Sequence, residues 1–239
     1  MFRVVHRIRD RQSRLSGQIV AMGGGGFMAD RRSPLDDFML SLSSAARPRV
    51  CFLPTPSGDS DRAIAAFFEA FVARDCEPSC VRLFGIPERP AEQLADKDVI
   101  YVSGGNTANA LAIWRLHGLN VALRAAWERG AVLAGVSAGA NCWFEACVTD
   151  SFGVALDPLE DGLGLLLGSF CPHYDGEARR RPVYRSLVDG GFPPGYAADD
   201  GAAFHFDGAE LREVVAAHPR AAGYRIEPGS ETALPARLL

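Results

Sequence analysis

Lysine and long apolar runs are nearly absent from this sequence, and both shortages limit what the protein can do. Only one of the 25 basic residues is lysine, Lys97, which lies in the polar stretch DKD and is predicted to be in a solvated turn. Covalent chemistry through a lysine amine is therefore not expected. No apolar run approaches the roughly 20 residues that span a bilayer, and the N-terminus lacks the apolar core of a signal peptide. We expect a cytoplasmic protein with no membrane partner.

Clustered positive charge and metal-type cysteine pairs are also missing. The formal net charge is -4 and there is no long basic run, so we expect no nucleic-acid partner, because phosphate binding needs clustered positive charge. The six cysteines include no CxxC pair, and most are predicted to be reduced core residues. Cys76 and Cys80 leave a metal site or a disulfide open as an alternative. Our prediction is that the protein uses no metal and no cofactor.

What is present is a sequence typical of one α/β domain. With 239 residues, of which 48% are hydrophobic, the chain can bury a full core, and we predict a single domain over residues 17–239 after an N-terminal extension at 1–16. Short apolar runs that predict buried strands lie at 18–23, 49–55, 79–84, 98–104 and 131–137. Amphipathic stretches at 61–75 and 106–118 predict crossover helices. This alternation indicates a doubly wound, mostly parallel sheet.

The later part of the chain has a different pattern. After residue 150 glycine and proline are frequent, an arginine-rich stretch near 178–188 predicts a helix, and AAFHFD, LREVVAA and AGYRIE predict short antiparallel strands. We expect these strands to complete the same sheet.

The segment AVLAGVSAGANCWF carries the clearest chemical signal. It places Gly135, Ser137 and Gly139 in a G-x-S-x-G pattern between an apolar strand and a predicted helix, which is the pattern of a nucleophile elbow. The serine needs small neighbours there because the turn is cramped. The simpler alternative is a tight turn in which the serine caps the helix. Glu145 is predicted to lie two turns along that helix, in an ordinary structural role.

A serine nucleophile needs a base, and the chain offers five histidines. These are His6, His117, His173, His205 and His218. His6 lies in the extension, His117 and His218 lie beside glycine or proline at predicted surface positions, and His205 alternates with phenylalanines on a predicted strand. His173, where an apolar run ends in FCPHYDGE, remains as the candidate base.

Six segments together resemble the peptidase E family of serine peptidases, family S51, whose relatives include aspartyl dipeptidase and cyanophycinase. In order along the chain they are IVAMGGGGF, FLPTPSGDS, YVSGGNTANAL, GVSAGANCWF, FCPHYDGE and GYAADDGAA. The resemblance spans nearly the whole chain from about Gly17 and implies a fold similar to the class I glutamine amidotransferases. The glycines of GGGG, at 23–26, lack the spacing of a nucleotide-binding loop, and we expect them to let the chain approach the active site closely.

The resemblance also implies roles for individual residues. Ser137 would attack the carbonyl and His173 would move the proton, while the N–H groups of Gly105 and Ala138 would form the oxyanion hole. The family's Asp-Glu-Gly motif is matched by Asp199, Asp200 and Gly201, which makes Asp200 the leading candidate for the triad acid. Because aspartate replaces the longer glutamate, Asp199 and Asp150 stay open as alternatives.

Substrate binding is assigned to two further residues by the same resemblance. Asn106 would orient the substrate, although it could equally cap the following helix, and Arg180 would bind a substrate carboxylate, although an arginine run is usually a solvated helix face. The implied function is hydrolysis of small peptides, with N-terminal aspartyl dipeptides as one substrate class. A weakly catalytic binding or sensor protein and an amidase acting on another acyl substrate are alternatives. The sequence leaves a homodimer open.

Overall fold

The computed structural model describes residues 17–239, and both the extension predicted for residues 1–16 and His6 lie outside the described residues. The described residues form fourteen strands and six α-helices. The strands are β1 Gln18–Met22, β2 Arg49–Leu53, β3 Glu77–Cys80, β4 Val99–Val102, β5 Val132–Val136, β6 Phe144–Thr149, β7 Asp157–Leu159, β8 Leu166–Cys171, β9 Gly195–Ala198, β10 Ala202–Asp207, β11 Glu210–Ala216, β12 Gly223–Glu227, β13 Ser230–Leu234 and β14 Ala236–Leu238. The helices are α1 Pro34–Ser41, α2 Asp61–Phe71, α3 Thr107–His117, α4 Leu119–Glu128, α5 Ala138–Asn141 and α6 Arg180–Asp189.

The larger sheet has eight strands in the spatial order β14-β11-β10-β1-β5-β4-β2-β3. Strands β1 to β5 pair in parallel. The residues of β1, β2, β4 and β5 are almost all buried because helices cover both faces, whereas β3 lies at the edge of the sheet and none of its residues is fully buried. The predicted α/β class and the mostly parallel sheet are confirmed. The strand predicted at 79–84 lies earlier in the chain, as β3, and pairs with β2 only as far as Cys80. Beyond it the chain leaves the sheet, because Asp59 accepts hydrogen bonds from the backbone N–H groups of Leu83 and Phe84.

A second sheet was not predicted. Its six strands have the order β13-β12-β9-β8-β6-β7. The C-terminal strands were expected to complete one sheet, and this is correct for β10 and β11 but wrong for β12, which pairs with β9 and β13. Strands β10, β11 and β12 were predicted to be antiparallel, and each forms an antiparallel pair: β10 with β1 and β11, and β12 with β9 and β13. The second sheet carries β8, whose end leads directly to His173.

The core divides into three apolar clusters. One lies between the larger sheet and α3, α4 and the second sheet, another packs α1 and α2 on the opposite face, and a smaller one lies beneath α6. All six cysteines are free thiols and five of them are buried, so the disulfide considered for Cys76 and Cys80 is absent. Within residues 17–239, no helix is both long enough and apolar enough to cross a membrane.

One charged group in the core gives the fold a pH dependence. Asp36 of α1 is fully buried, Arg74 Nη2 lies 3.8 Å from its Oδ2, and burial raises the pKa of Asp36 from 3.8 to about 7. A carboxyl whose folded-state pKa is raised stabilises the fold at acidic pH, and this contribution is lost as the pH rises through about 7.

We therefore expect Asp36→Asn to stabilise the protein relative to wild type at pH 8 but not at pH 4. A shift of this size corresponds to roughly 4 kcal/mol in the free energy of unfolding, at about 1.4 kcal/mol per pKa unit. Urea unfolding of both proteins from pH 4 to 8 measures it. Asp157→Asn, at a half-exposed position on β7 of the second sheet, is the control and should show no such trend. A difference between wild type and Asp36→Asn that does not change with pH would contradict the prediction.

Candidate active site

Ser137 lies at the sharp turn between β5 and α5. Its backbone angles are φ 56 and ψ -115, a conformation that costs a non-glycine residue energy and is held only by surrounding contacts. One such contact is the hydrogen bond from Ser137 N–H to the carbonyl of Met22 on β1, 3.0 Å long. A Cβ on Gly135 would overlap the backbone of Gly139, and one on Gly139 would lie 2.6 Å from the Val102 carbonyl. The turn predicted for this motif is therefore present, and both glycines are needed for its packing.

The helix after the turn is shorter than predicted. It ends at Asn141, so Glu145 lies on β6 and not on the helix. The prediction of a helical Glu145 was wrong because the chain turns into the second sheet at Phe144, whose ring stacks on Phe170 of β8. A single helical turn has only a small dipole. The backbone N–H of Ala138 at its start, which has no acceptor within residues 17–239, is the more important feature for binding negative charge.

Ser137, His173 and Asp200 form one hydrogen-bonded chain. His173 Nε2 lies 2.8 Å from Ser137 Oγ, and His173 Nδ1 lies 2.6 Å from Asp200 Oδ1. An ionised Asp200 accepts a hydrogen bond from Nδ1–H, which leaves Nε2 unprotonated and able to accept from the serine hydroxyl. The arrangement can deprotonate Ser137 when the hydroxyl attacks an electrophile.

The acid of this chain is held in its charged form. The hydrogen bond from His173 lowers the pKa of Asp200 below its ordinary value. The backbone N–H of Asp200 donates to Asp175 Oδ1 at 2.9 Å, a contact that fixes the start of the turn. No role was predicted for Asp175, although its position two residues after His173 in the sequence indicates that it lies near the site.

Gly24, in the glycine-rich segment at 23–26, lies directly against Asp200 and His173. A Cβ at this position would overlap Asp200 Oδ1 and lie 2.9 Å from His173 Nδ1. The carbonyl of Gly24 accepts a 3.0 Å hydrogen bond from Gly201 N–H, so the loop after β1 and the turn after β9 are joined here. The expectation that this glycine-rich segment approaches the site is confirmed at Gly24.

The two alternative acids lie in other environments. Asp199 is buried, its Oδ2 accepts hydrogen bonds from Ala222 N–H at 3.0 Å and Tyr224 hydroxyl at 3.3 Å, and burial raises its pKa to about 6. Asp150 is exposed and lies 4.0 Å from Arg180 Nη2. Of the three acids considered, the structure brings only Asp200 into hydrogen-bond contact with His173.

Gly105 and Ala138 present backbone N–H groups near the serine. Neither N–H donates a hydrogen bond to another group within residues 17–239. Gly105 has φ 136, and a Cβ there would collide with the Pro56 carbonyl, so this position requires glycine. A Cβ on the adjacent Gly104 would lie 3.5 Å from Ser137 Cβ, which places this loop beside Ser137.

Asn106 makes the helix cap considered from sequence. Its Oδ1 accepts a 2.8 Å hydrogen bond from Asn109 N–H, and its Nδ2 donates to the carbonyl of Ser151 at 2.9 Å. The side chain is half-buried. Both polar atoms have protein partners, and a role in substrate orientation stays a prediction.

Arg180 is buried against the second sheet. Its Nε donates to Glu177 Oε2 at 2.7 Å and its Nη1 donates to the Val148 carbonyl at 3.1 Å. Only Nη2 is left with a weak contact, the 4.0 Å approach to Asp150. The alternative of a solvated helix face does not apply to this arginine, and substrate binding by it stays a prediction. Among the described residues, no cluster of three or more potential metal ligands occurs.

Comparison with known sequences gives one family. A sequence model of Peptidase family S51 matches residues 19–214. The uncharacterized peptidase YgaJ of Bacillus subtilis is 51% identical over 212 residues, which cover 87% of this chain and 91% of that protein. Peptidase E of Citrobacter koseri is 35% identical over 108 residues, covering 41% of this chain and 47% of that protein.

Comparison with solved structures gives the same type of fold. A peptidase from an acI-B1 actinobacterium superposes with a TM-score of 0.71 at 18% identity, covering 95% of this chain and 97% of the other. A putative peptidase E from Listeria monocytogenes has a TM-score of 0.61 at 19% identity, covering 82% and 97%. Since the family model spans most of the sequence and a relative is half identical over nearly its whole length, the chain belongs to peptidase family S51 and is a peptidase.

Proposed function

We propose that this peptidase is a serine peptidase that hydrolyses small peptides through a Ser137–His173–Asp200 triad. The observation that supports it most is the continuous hydrogen-bonded chain, 2.8 Å from serine to histidine and 2.6 Å from histidine to aspartate. Serine and histidine both have positive φ values, 56 and 52, and such strained conformations cluster at functional sites.

The proposed reaction has two halves. In the first, Ser137 Oγ attacks the carbonyl carbon of the scissile bond while His173 Nε2 takes its proton, and the negative oxygen that forms is bound by the N–H groups of Gly105 and Ala138. The tetrahedral intermediate then collapses, His173 donates the proton to the departing amine, and an acyl-enzyme remains. In the second half, water attacks the ester with the same proton transfers and restores the free serine.

Dipeptides with an N-terminal aspartate are the proposed first substrates to test. Peptidase E relatives supply that expectation, but the candidate cation, Arg180, already bonds Glu177 and the Val148 carbonyl. A negative substrate group would therefore compete with Asp150 for its remaining Nη2. For this reason the acyl residue should be varied in the assay and not fixed as aspartate.

Active-site labelling followed by a turnover assay tests the proposal. A fluorophosphonate should add once to the native protein, and peptide mapping should place the adduct on Ser137, while Ser137→Ala should carry none. The same protein should cleave some members of a dipeptide panel. An adduct on Ser137 without cleavage of any dipeptide would favour the alternative of an amidase that acts on another acyl substrate. Absence of both the adduct and cleavage would refute the triad and favour a binding protein.

A further inference from the structure

A cavity beside His173 has no role in the reaction described above. Its volume is about 360 Å³. It is bordered by His173, Asp200 and Gly201, by Ala217 and His218 after β11, and by parts of the segment 25–35 that exclude Arg31 and Arg32. Neither the nucleophile nor the two oxyanion donors line it. It is a half-open cleft at the small end of the range for small-molecule sites, roughly 300–1,000 Å³.

The position of the cavity places it on the side of the substrate that departs when the serine is acylated. During acylation the oxygen of the scissile carbonyl faces the oxyanion donors, and the departing amine faces the histidine that protonates it. A space that adjoins His173 and not Gly105 or Ala138 therefore lies on the departing side. We call it the leaving-side cavity.

The lining of the leaving-side cavity indicates what it can hold. Ala29, Pro34 and Ala217 supply accessible apolar surface. Leu35 lies behind them in the wall and is fully buried. Two carboxylates, Asp30 and Asp200, lie along it, and no lysine or arginine of residues 17–239 does. An aliphatic side chain would be removed from water there, whereas an acidic side chain would face two carboxylates with no lysine or arginine in the lining to pair with it.

We propose that the leaving-side cavity binds the side chain of the residue released on acylation and selects an uncharged, aliphatic one. This inference rests on the proposed function, because a leaving residue exists only if Ser137 is acylated by a peptide. Ala29 and Ala217 are then specificity-determining residues, and neither is part of the Ser137–His173–Asp200 chain.

The wild-type protein should show the preference in kcat/KM. A panel of dipeptides separates the preference for the acyl residue from the preference for the leaving residue. Its members combine Asp, Ala or Leu as the acyl residue with Gly, Leu, Gln or Glu as the leaving residue. For a fixed acyl residue we expect leaving Leu to exceed leaving Gly by roughly 10- to 100-fold, the range for burying a leucine side chain. Leaving Glu should be slower than its neutral counterpart Gln by about tenfold or more, a difference that charge alone produces.

Variants that fill the cavity should reverse the size preference. Ala29→Leu, at an exposed position on the rim, should lower the Leu-to-Gly ratio to about 1 or below, and Ala217→Leu, at a half-buried position, should do the same from the opposite wall. Two variants on separate segments guard against a folding defect in one of them. Ala65→Leu, an equal enlargement at an exposed position of α2 outside the cavity, should keep the wild-type ratio.

Different outcomes separate this inference from the proposed function. If Ser137 is labelled and dipeptides are cleaved, but kcat/KM does not depend on the leaving residue, the role of the cavity is overturned and the triad stands. A change in acyl-residue preference, and not leaving-residue preference, in Ala29→Leu and Ala217→Leu would also overturn it and assign the cavity to the acyl side. Absence of both labelling and cleavage in the wild type would overturn the two proposals together.

Discussion

Asp200→Asn should lower kcat for peptide hydrolysis by about 10⁴-fold, the size of effect produced when the triad aspartate of other serine peptidases is replaced by its amide. Asparagine keeps the shape of the side chain, but its Nδ2–H₂ group can donate to His173 Nδ1, which lies 2.6 Å from the present carboxylate oxygen. The proton would then move to Nε2, which faces Ser137 at 2.8 Å, and the histidine could no longer accept the serine proton. Steady-state kinetics on the best dipeptide of the panel measures the loss.

The alternative acids provide matched controls for this result. Asp150→Asn and Asp199→Asn remove the same charge, but neither carboxylate contacts His173, and we expect kcat to stay within a few-fold of wild type. Thermal unfolding should show that all three variants are folded. A loss of about 10⁴-fold in Asp199→Asn or Asp150→Asn together with a mild effect in Asp200→Asn would transfer the acid role and contradict the assignment.

Sequence was sufficient for the parts of the site that depend on local pattern. The buried strands β1, β2, β4 and β5 are short continuous apolar runs, so their positions and the loops at their carboxyl ends could be predicted. Ser137 follows from its strand and flanking glycines, and His173 from elimination among five histidines. The choice of Asp200 came from family resemblance, because carboxylates in an Asp-Asp turn have no spacing signal of their own.

Features that depend on tertiary contacts could not be predicted in this way. The second sheet was not predicted because β7 and β8 are short and contain proline or glycine. In addition, the apolar residues of LEDGLGLLLGSF repeat neither every two residues, as in a strand, nor every 3.6 residues, as in a helix. For the side chain of Arg180, substrate binding was predicted and a solvated helix face was the alternative, yet the side chain is buried against the second sheet and donates to the carbonyl of Val148 on β6. His218 was assigned to the surface, and it is exposed, but the fold brings it to the rim of the leaving-side cavity.

The second large effect is expected for Gly24→Ala, a change of one methyl group on a residue that takes no part in the chemistry. The added Cβ would overlap Asp200 Oδ1 and crowd His173 Nδ1, 2.9 Å away, so the acid and the base must separate. A displacement of about 1 Å in a catalytic group can cost about 10²-fold in rate, and we expect kcat to fall by about that factor or more. The backbone of Gly24 does not have a positive φ and the colliding atoms are the end of a side chain, so the loss of thermal stability should be small.

A double-variant comparison tests whether Gly24→Ala acts through the acid. If it does, Gly24→Ala combined with Asp200→Ala should be no slower than Asp200→Ala alone, because the oxygen that the methyl group displaces is already gone. Gly85→Ala, where a Cβ meets no atom within 4 Å, is the control and should keep wild-type kinetics. Losses that multiply in the double variant would mean that Gly24 supports the site by another route, through the hydrogen bond from Gly201 N–H to its carbonyl and the path of the loop after β1.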